Sequence, residues 1–124
     1  MNELIYKEEA FTIIGKCMDV HRFLGHGFLE AVYKDALEYE FQQAMIPYQR
    51  EHTFEIPYKD KILQRKYYAD FTVFDKIILE VKALDGLPEE LTSRAINYLK
   101  VSGYQLCLLV NFGRPKFEFR RMVL

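Results

Sequence analysis

Residues 106 to 110 read Leu-Cys-Leu-Leu-Val, five apolar positions with no polar break. A run of that length without alternation is what a strand covered on both faces looks like. A second run, Ile77-Ile78-Leu79-Glu80-Val81-Lys82-Ala83, is apolar except for two charges. A strand like the first needs cover on both sides of its sheet. The chain is therefore expected to form an α/β or α+β domain, a mixed β-sheet flanked by helices.

The helices are legible from their spacing. Ala10, Phe11, Ile13, Ile14, Cys17, Met18 and Phe23 recur at helical intervals over residues 7 to 24, ahead of Gly25-His26-Gly27. A second helix is expected from about Phe28 to Ala44, with Leu29, Val32, Tyr33, Ala36, Leu37 and Phe41 as its apolar stripe and Pro47 beyond its end. Pro88 opens a third through Leu91, Ala95, Tyr98, Leu99 and Val101 that closes near Gly103. Strands fill the remainder, at about Gln49 to Tyr58, Tyr67 to Phe74, Ile77 to Ala83, Gln105 to Phe112 and Lys116 to Val123, so the order is αα-βββ-α-ββ.

Chemistry concentrates in the hairpin. A tight turn at Asp75-Lys76 would set Asp70 opposite Val81, with Glu80 and Lys82 as diagonal neighbours sharing one face of their strand. One slip or bulge in that register would change the face Asp70 takes. Two carboxylates brought close repel unless a cation lies between them, and all-oxygen ligation suits Mg²⁺ or Mn²⁺. Lys82 beside such an ion could orient water and stabilise charge on a phosphoryl oxygen, as phosphodiester hydrolysis requires. The plainer alternative makes Glu80 and Lys82 the solvent face of an edge strand, paired across to Arg65 or Lys66.

Asp70 followed by Glu80-Val81-Lys82 resembles the active-site signature of the PD-(D/E)XK nuclease superfamily. Gly27-Phe28-Leu29-Glu30-Ala31-Val32-Tyr33 resembles the motif of the GxxExxY family within it. His21 to Gly27, Asn97-Tyr98-Leu99-Lys100 and Leu108 to Gly113 fit the same pattern, so the similarity spans nearly the whole chain. The chain departs from the family at Arg94, where glutamine is usual, and at Ala69, where proline is usual. The resemblance implies a restriction-endonuclease-like core. It makes Asp70 and Glu80 metal ligands with the Val81 carbonyl as a further one, Lys82 the catalytic lysine, and Glu30 an additional acidic residue reaching the site from a helix. On residues alone, Glu30 also fits a capping role three positions after Gly27. Arg94 and Tyr98, four apart on the last helix, either contact substrate phosphate or form an exposed arginine over a packed tyrosine.

At 124 residues and 50% hydrophobic, the chain suits one domain, 1–124. It has no apolar run long enough for a membrane span, and Met1-Asn2-Glu3-Leu4 lacks a signal-like basic start, which points to a cytoplasmic location. Cys17 and Cys107 lie in apolar patterns without a CxxC partner and read as reduced core residues. Net charge is −1, divided as −4 over residues 1 to 45 and +3 over 46 to 124. The basic half holds Lys59, Lys61, Arg65 and Lys66 in one group and Arg114, Lys116, Arg120 and Arg121 in another, either a rim for a phosphate backbone or ordinary solubilising charge. The expected function is a Mg²⁺- or Mn²⁺-dependent hydrolase of nucleic acid, DNA or RNA. The rival is a catalytically inactive nuclease-fold module binding nucleic acid or a protein partner, and 19 aromatics leave scope for a homodimer interface.

Overall fold

Helix α1 (Lys7–Leu24) forms over the span its spacing predicts and buries Ala10, Ile13, Cys17 and Val20. It stops at Gly25, whose amide donates to the His21 carbonyl at 2.8 Å with φ 71°, a conformation glycine adopts without steric cost. These coordinates are a computed structural model that describes residues 4–124. The parts of the domain and N-terminal expectations that fall on Met1, Asn2 and Glu3 lie outside the described residues.

Helix α2 (Glu30–Gln43) starts two residues later than its apolar stripe suggests. The reason is Tyr33, fully buried, whose hydroxyl donates to the Gly25 carbonyl at 2.7 Å and accepts the Phe28 amide at 3.2 Å, holding the approach to the helix as a loop. Glu30 is thus the first helical residue and not the third, and the capping-box reading from Gly27 is corrected.

The remaining elements are β1 (Tyr48–Tyr58), β2 (Lys61–Val73), β3 (Ile77–Lys82), α3 (Glu89–Ser102), β4 (Leu106–Asn111) and β5 (Glu118–Val123). They give one five-stranded sheet in the order β1-β2-β3-β4-β5. Neighbours are antiparallel except β3 and β4, which are parallel and joined through α3. The sheet is therefore mixed, with helices on both faces, and the element order is αα-βββ-α-ββ as expected. On one face α1 and α2 cover Phe71, Val73, Leu79, Val81 and Val110, and on the other α3 covers Tyr67, Ala69, Ile78, Cys107 and Leu109. All six residues of β4 are buried, which is why its sequence shows no alternation.

Two details correct the hairpin reading. The turn between β2 and β3 has three residues, Phe74 to Lys76, with Phe74 and Asp75 at φ 57° and 55°. It pairs Val73 with Ile77, Thr72 with Ile78 and Phe71 with Leu79, so Asp70 comes level with Glu80 rather than Val81. Strand β2 also begins at Lys61, not Tyr67, and makes a long exposed ribbon with β1. Where Arg50 pairs Phe71 and His52 pairs Ala69, the intervening Glu51 has φ 57°. Both strands change faces there. Phe71 feeds the α1 and α2 cluster, while Ala69, Tyr67 and Phe54 feed the α3 cluster.

The chain leaving β3 is clamped to the end of β4. Asn111, fully buried, accepts the Leu84 amide at 2.8 Å and the Gly113 amide at 3.1 Å, and donates to the Leu84 carbonyl at 2.9 Å and to Glu118 at 2.8 Å. Gly113 lies so close that a Cβ there would run into the backbone of Ala83 and Leu84.

Candidate metal centre

The two acids meet where the β2–β3 ladder ends. In place of the next backbone pair, the side chains cross: the Asp70 amide donates to Glu80 Oε2 at 3.3 Å, and the Val81 amide donates to Asp70 Oδ2 at 2.8 Å. Asp70 sits at the point where β2 changes faces, so its carboxylate lies at the strand edge, between the two helical layers. Glu80 approaches from the α3 side. It is only 5% exposed, and Tyr67 donates its hydroxyl to Glu80 Oε1 at 2.5 Å. The edge-strand alternative for Glu80 is thereby corrected, because β3 is central and this carboxylate is buried.

Burial raises the Glu80 carboxyl, the neighbouring Asp70 charge adds to the effect, and together they carry it up to about 8 against the pull of the Tyr67 and Asp70 donors. Burial and the Glu80 charge in turn push the Tyr67 phenol well above its usual range, so it remains a donor.

Sequence reasoning missed the cation that answers this charge. Lys34 of α2 places Nζ 2.8 Å from Asp70 Oδ1 and 3.2 Å from Glu51 Oε1. Burial works against its charge, but the hydrogen bonds and attraction of Asp70 and Glu51 hold it above the usual lysine value. Its signal was present in the spacing, since Lys34 follows Glu30 by four residues and shares its helix face. Tyr67 and Glu51 had no such signal.

Lys82, Arg94 and Tyr98 line one hollow with Glu80, Leu91 and Ala95. Tyr98 is half-buried and stacks on Tyr67 at 3.8 Å between ring centroids, while Arg94 is exposed. Glu30 is the half-buried first residue of α2, and no three His, Cys, Asp or Glu side chains among the described residues cluster for a metal. Asp70 and Glu80 remain as a pair of hard oxygen donors whose mutual repulsion a divalent ion would relieve. Mg²⁺ is commonly held by one or two carboxylates, with water and substrate phosphate completing the shell. The donor set fits such an ion.

Not all of the basic rim faces outward. Arg120 donates to the Pro88 carbonyl at 3.3 Å and to Thr92 at 3.1 Å, and Arg121 donates to the Ile5 carbonyl, so both tie elements together. Lys59, Lys61, Arg65 and Lys66 stand exposed on the β1–β2 ribbon. An apolar hollow of about 460 Å³ between α1 and β5, lined by Phe11, Ile14, Leu108 and Phe119 among others, shares no residue with the acidic pair. Cys17 and Cys107 are buried and unpaired, with burial raising both thiols, as befits inert core residues. Among the described residues, no helix is long and apolar enough to cross a membrane.

Three solved chains are similar in fold. The crystal structure of SSO0001 is similar at a TM-score of 0.59 with 19% identity, over 75% of this chain and 48% of that one. The chain thus spans about half the length of that protein. A comparison with curated proteins finds no match. A family model described as the PD-(D/E)XK nuclease superfamily matches residues 7–122.

Proposed function

The chain belongs to the PD-(D/E)XK nuclease superfamily, and from that premise we propose that it is a Mg²⁺- or Mn²⁺-dependent phosphodiester hydrolase acting on nucleic acid, in the GxxExxY branch. The observation that carries this reading is the crossing of Asp70 and Glu80 at the end of a strand ladder, with Glu80 buried and its carboxyl raised to about 8. Strongly perturbed carboxyls cluster at functional sites, and a divalent cation would relieve the cost of burying these two together.

Asp70 and Glu80 would hold the metal, with the Val81 carbonyl as a further ligand. The ion would supply Lewis acidity toward a phosphoryl oxygen. The Lys82 ammonium, on the same hollow as Glu80, orients the attacking water and stabilises charge as it develops on the phosphate. The exposed Arg94 guanidinium binds a backbone phosphate, and Tyr98 holds Tyr67 in place by stacking. Glu30, at the positive end of α2, supports the site from its rim. We assign residues 1–124 to one such domain and place it in the cytoplasm. The exposed Phe11 and Phe23 of α1 support a homodimer.

The test is to incubate labelled single- and double-stranded DNA and RNA with Mg²⁺ or Mn²⁺. Cleavage by the wild type that is lost in Asp70→Ala and Lys82→Ala supports the reading. Cleavage surviving both substitutions removes it.

A second reading is favoured by Lys34, which already balances Asp70 without a metal. In that case the chain is an inactive module that binds nucleic acid or a protein partner. The two separate on metal binding: an enzyme's melting temperature rises with Mn²⁺ and Glu80→Ala abolishes the rise, whereas a module is indifferent.

A further inference from the structure

We propose that Lys34 is a tethered counter-ion that occupies the cation position at Asp70 and moves to Glu51 when a divalent ion enters, so that this pair sets the metal affinity of the site. The proposal rests on the metal-dependent reading above and concerns the regulation of that same site.

Three observations carry it. Lys34 Nζ contacts two carboxylates at once, Asp70 at 2.8 Å and Glu51 at 3.2 Å, so transfer to Glu51 alone needs no more than a change of side-chain rotamer. The two acids differ in setting: the Asp70 side chain is 15% exposed and crossed with Glu80, whereas that of Glu51 is 53% exposed and outside that crossing. Glu51 is also placed with care. It lies between the pairs Arg50–Phe71 and His52–Ala69, level with Asp70, at φ 57°, a conformation that costs free energy for a residue other than glycine.

The physics follows from charge alone. An ammonium and a divalent ion on the same carboxylate repel, and partial burial weakens the screening that water would give. Left on Asp70, Lys34 opposes the metal. Moved to Glu51, it is farther from the ion and still paired. Removing Lys34 abolishes the competition, and removing the Glu51 charge takes away the alternative seat.

The experiment titrates metal-free wild type, Lys34→Met, Glu51→Gln and the double variant with Mn²⁺ and reads free Mn²⁺ by electron paramagnetic resonance. Lys34→Met is expected to bind at least tenfold more tightly than wild type, Glu51→Gln several-fold more weakly, and the double variant as tightly as Lys34→Met. The last comparison separates a seat for Lys34 from a metal ligand, because loss of a ligand would weaken binding whether or not Lys34 is present. Lys34→Met binding no tighter than wild type overturns the proposal, as does a double variant weaker than Lys34→Met. If no form binds Mn²⁺, the metal-dependent reading itself falls, and this proposal with it. The exposed Glu51→Gln variant carries the test on its own should Lys34→Met fold poorly: affinity equal to or above wild type then refutes the idea.

Discussion

Replacing Glu80 with glutamine should make the metal-free protein more stable at neutral and alkaline pH, although it removes the signature acid. The unfolded chain releases this proton near 4.5, whereas the folded chain, through burial and then the Asp70 charge, holds it to about 8. A folded value raised above the unfolded one means that the associated stability is complete below 4.5 and is lost as pH rises through about 8. Each pH unit inside that window costs on the order of 1 kcal/mol, so the wild type loses stability steadily across it. Glutamine keeps an acceptor for Tyr67 and does not ionise, so it holds the site neutral at every pH; its NH2 gives up the long 3.3 Å bond from the Asp70 amide, a loss that does not vary with pH. Urea unfolding in a chelator at pH 5, 6, 7 and 8 measures the difference between the two proteins. Glu9 and Glu38, held low by Lys76 and by Tyr48 with Arg50, lose their contributions as pH falls, but they are common to both proteins and cancel. The wild type should fall behind the variant progressively from pH 5 to 8. A difference that stays constant with pH, or a wild type that gains on the variant, refutes the claim that Glu80 is a buried acid in conflict with Asp70.

Other outcomes follow from the same contacts. Asn111→Ala leaves the Leu84 and Gly113 groups without their buried partner and should cost about 3 kcal/mol or more in chemical denaturation. Gly113→Ala forces a methyl into the Leu84 backbone and should lower stability by about 1–3 kcal/mol. Tyr33→Phe keeps the ring stacked on Phe112 at 4.5 Å but frees Gly25 and Phe28, which predicts a loss of about 1–2 kcal/mol and faster amide exchange at Phe28. In the cleavage assay, Arg94→Ala should raise KM with little change in kcat and should weaken the dependence of binding on salt, the mark of one lost phosphate contact.

The sequence carried the architecture because the physics behind it is local. The spacing of Ala10, Ile13 and Cys17 makes α1, Pro88 and Gly103 bracket α3, and the unbroken run in β4 demands cover on both faces. Strand alternation together with the resemblance to the PD-(D/E)XK signature named Asp70, Glu80 and Lys82, helical spacing named the pair Arg94 and Tyr98, and the fold brings Glu80, Lys82, Arg94 and Tyr98 to one hollow. What stayed hidden depends on distant partners. The start of α2 is decided by the Tyr33 hydroxyl reaching back to Gly25, and nothing in Phe28-Leu29 announces it. The hairpin register turns on Phe74 taking a left-handed conformation, which aromatic residues seldom signal. The exposed stretch from Lys61 to Lys66 pairs with β1 outside both core clusters, so it left no pattern of apolar alternation. Arg120 and Arg121 read as rim charges until the carbonyls they bind are known. Tyr67 and Glu51 gained meaning only once Asp70 and Glu80 were in place.

The most direct measurement is anomalous diffraction from crystals of the wild-type protein soaked in Mn²⁺. The account predicts one peak bridging the carboxylates of Asp70 and Glu80, absent from crystals of the Glu80→Ala variant. Carboxylates that keep their crossed hydrogen bonds with no manganese between them, at concentrations that saturate Mn²⁺ binding elsewhere, would contradict it.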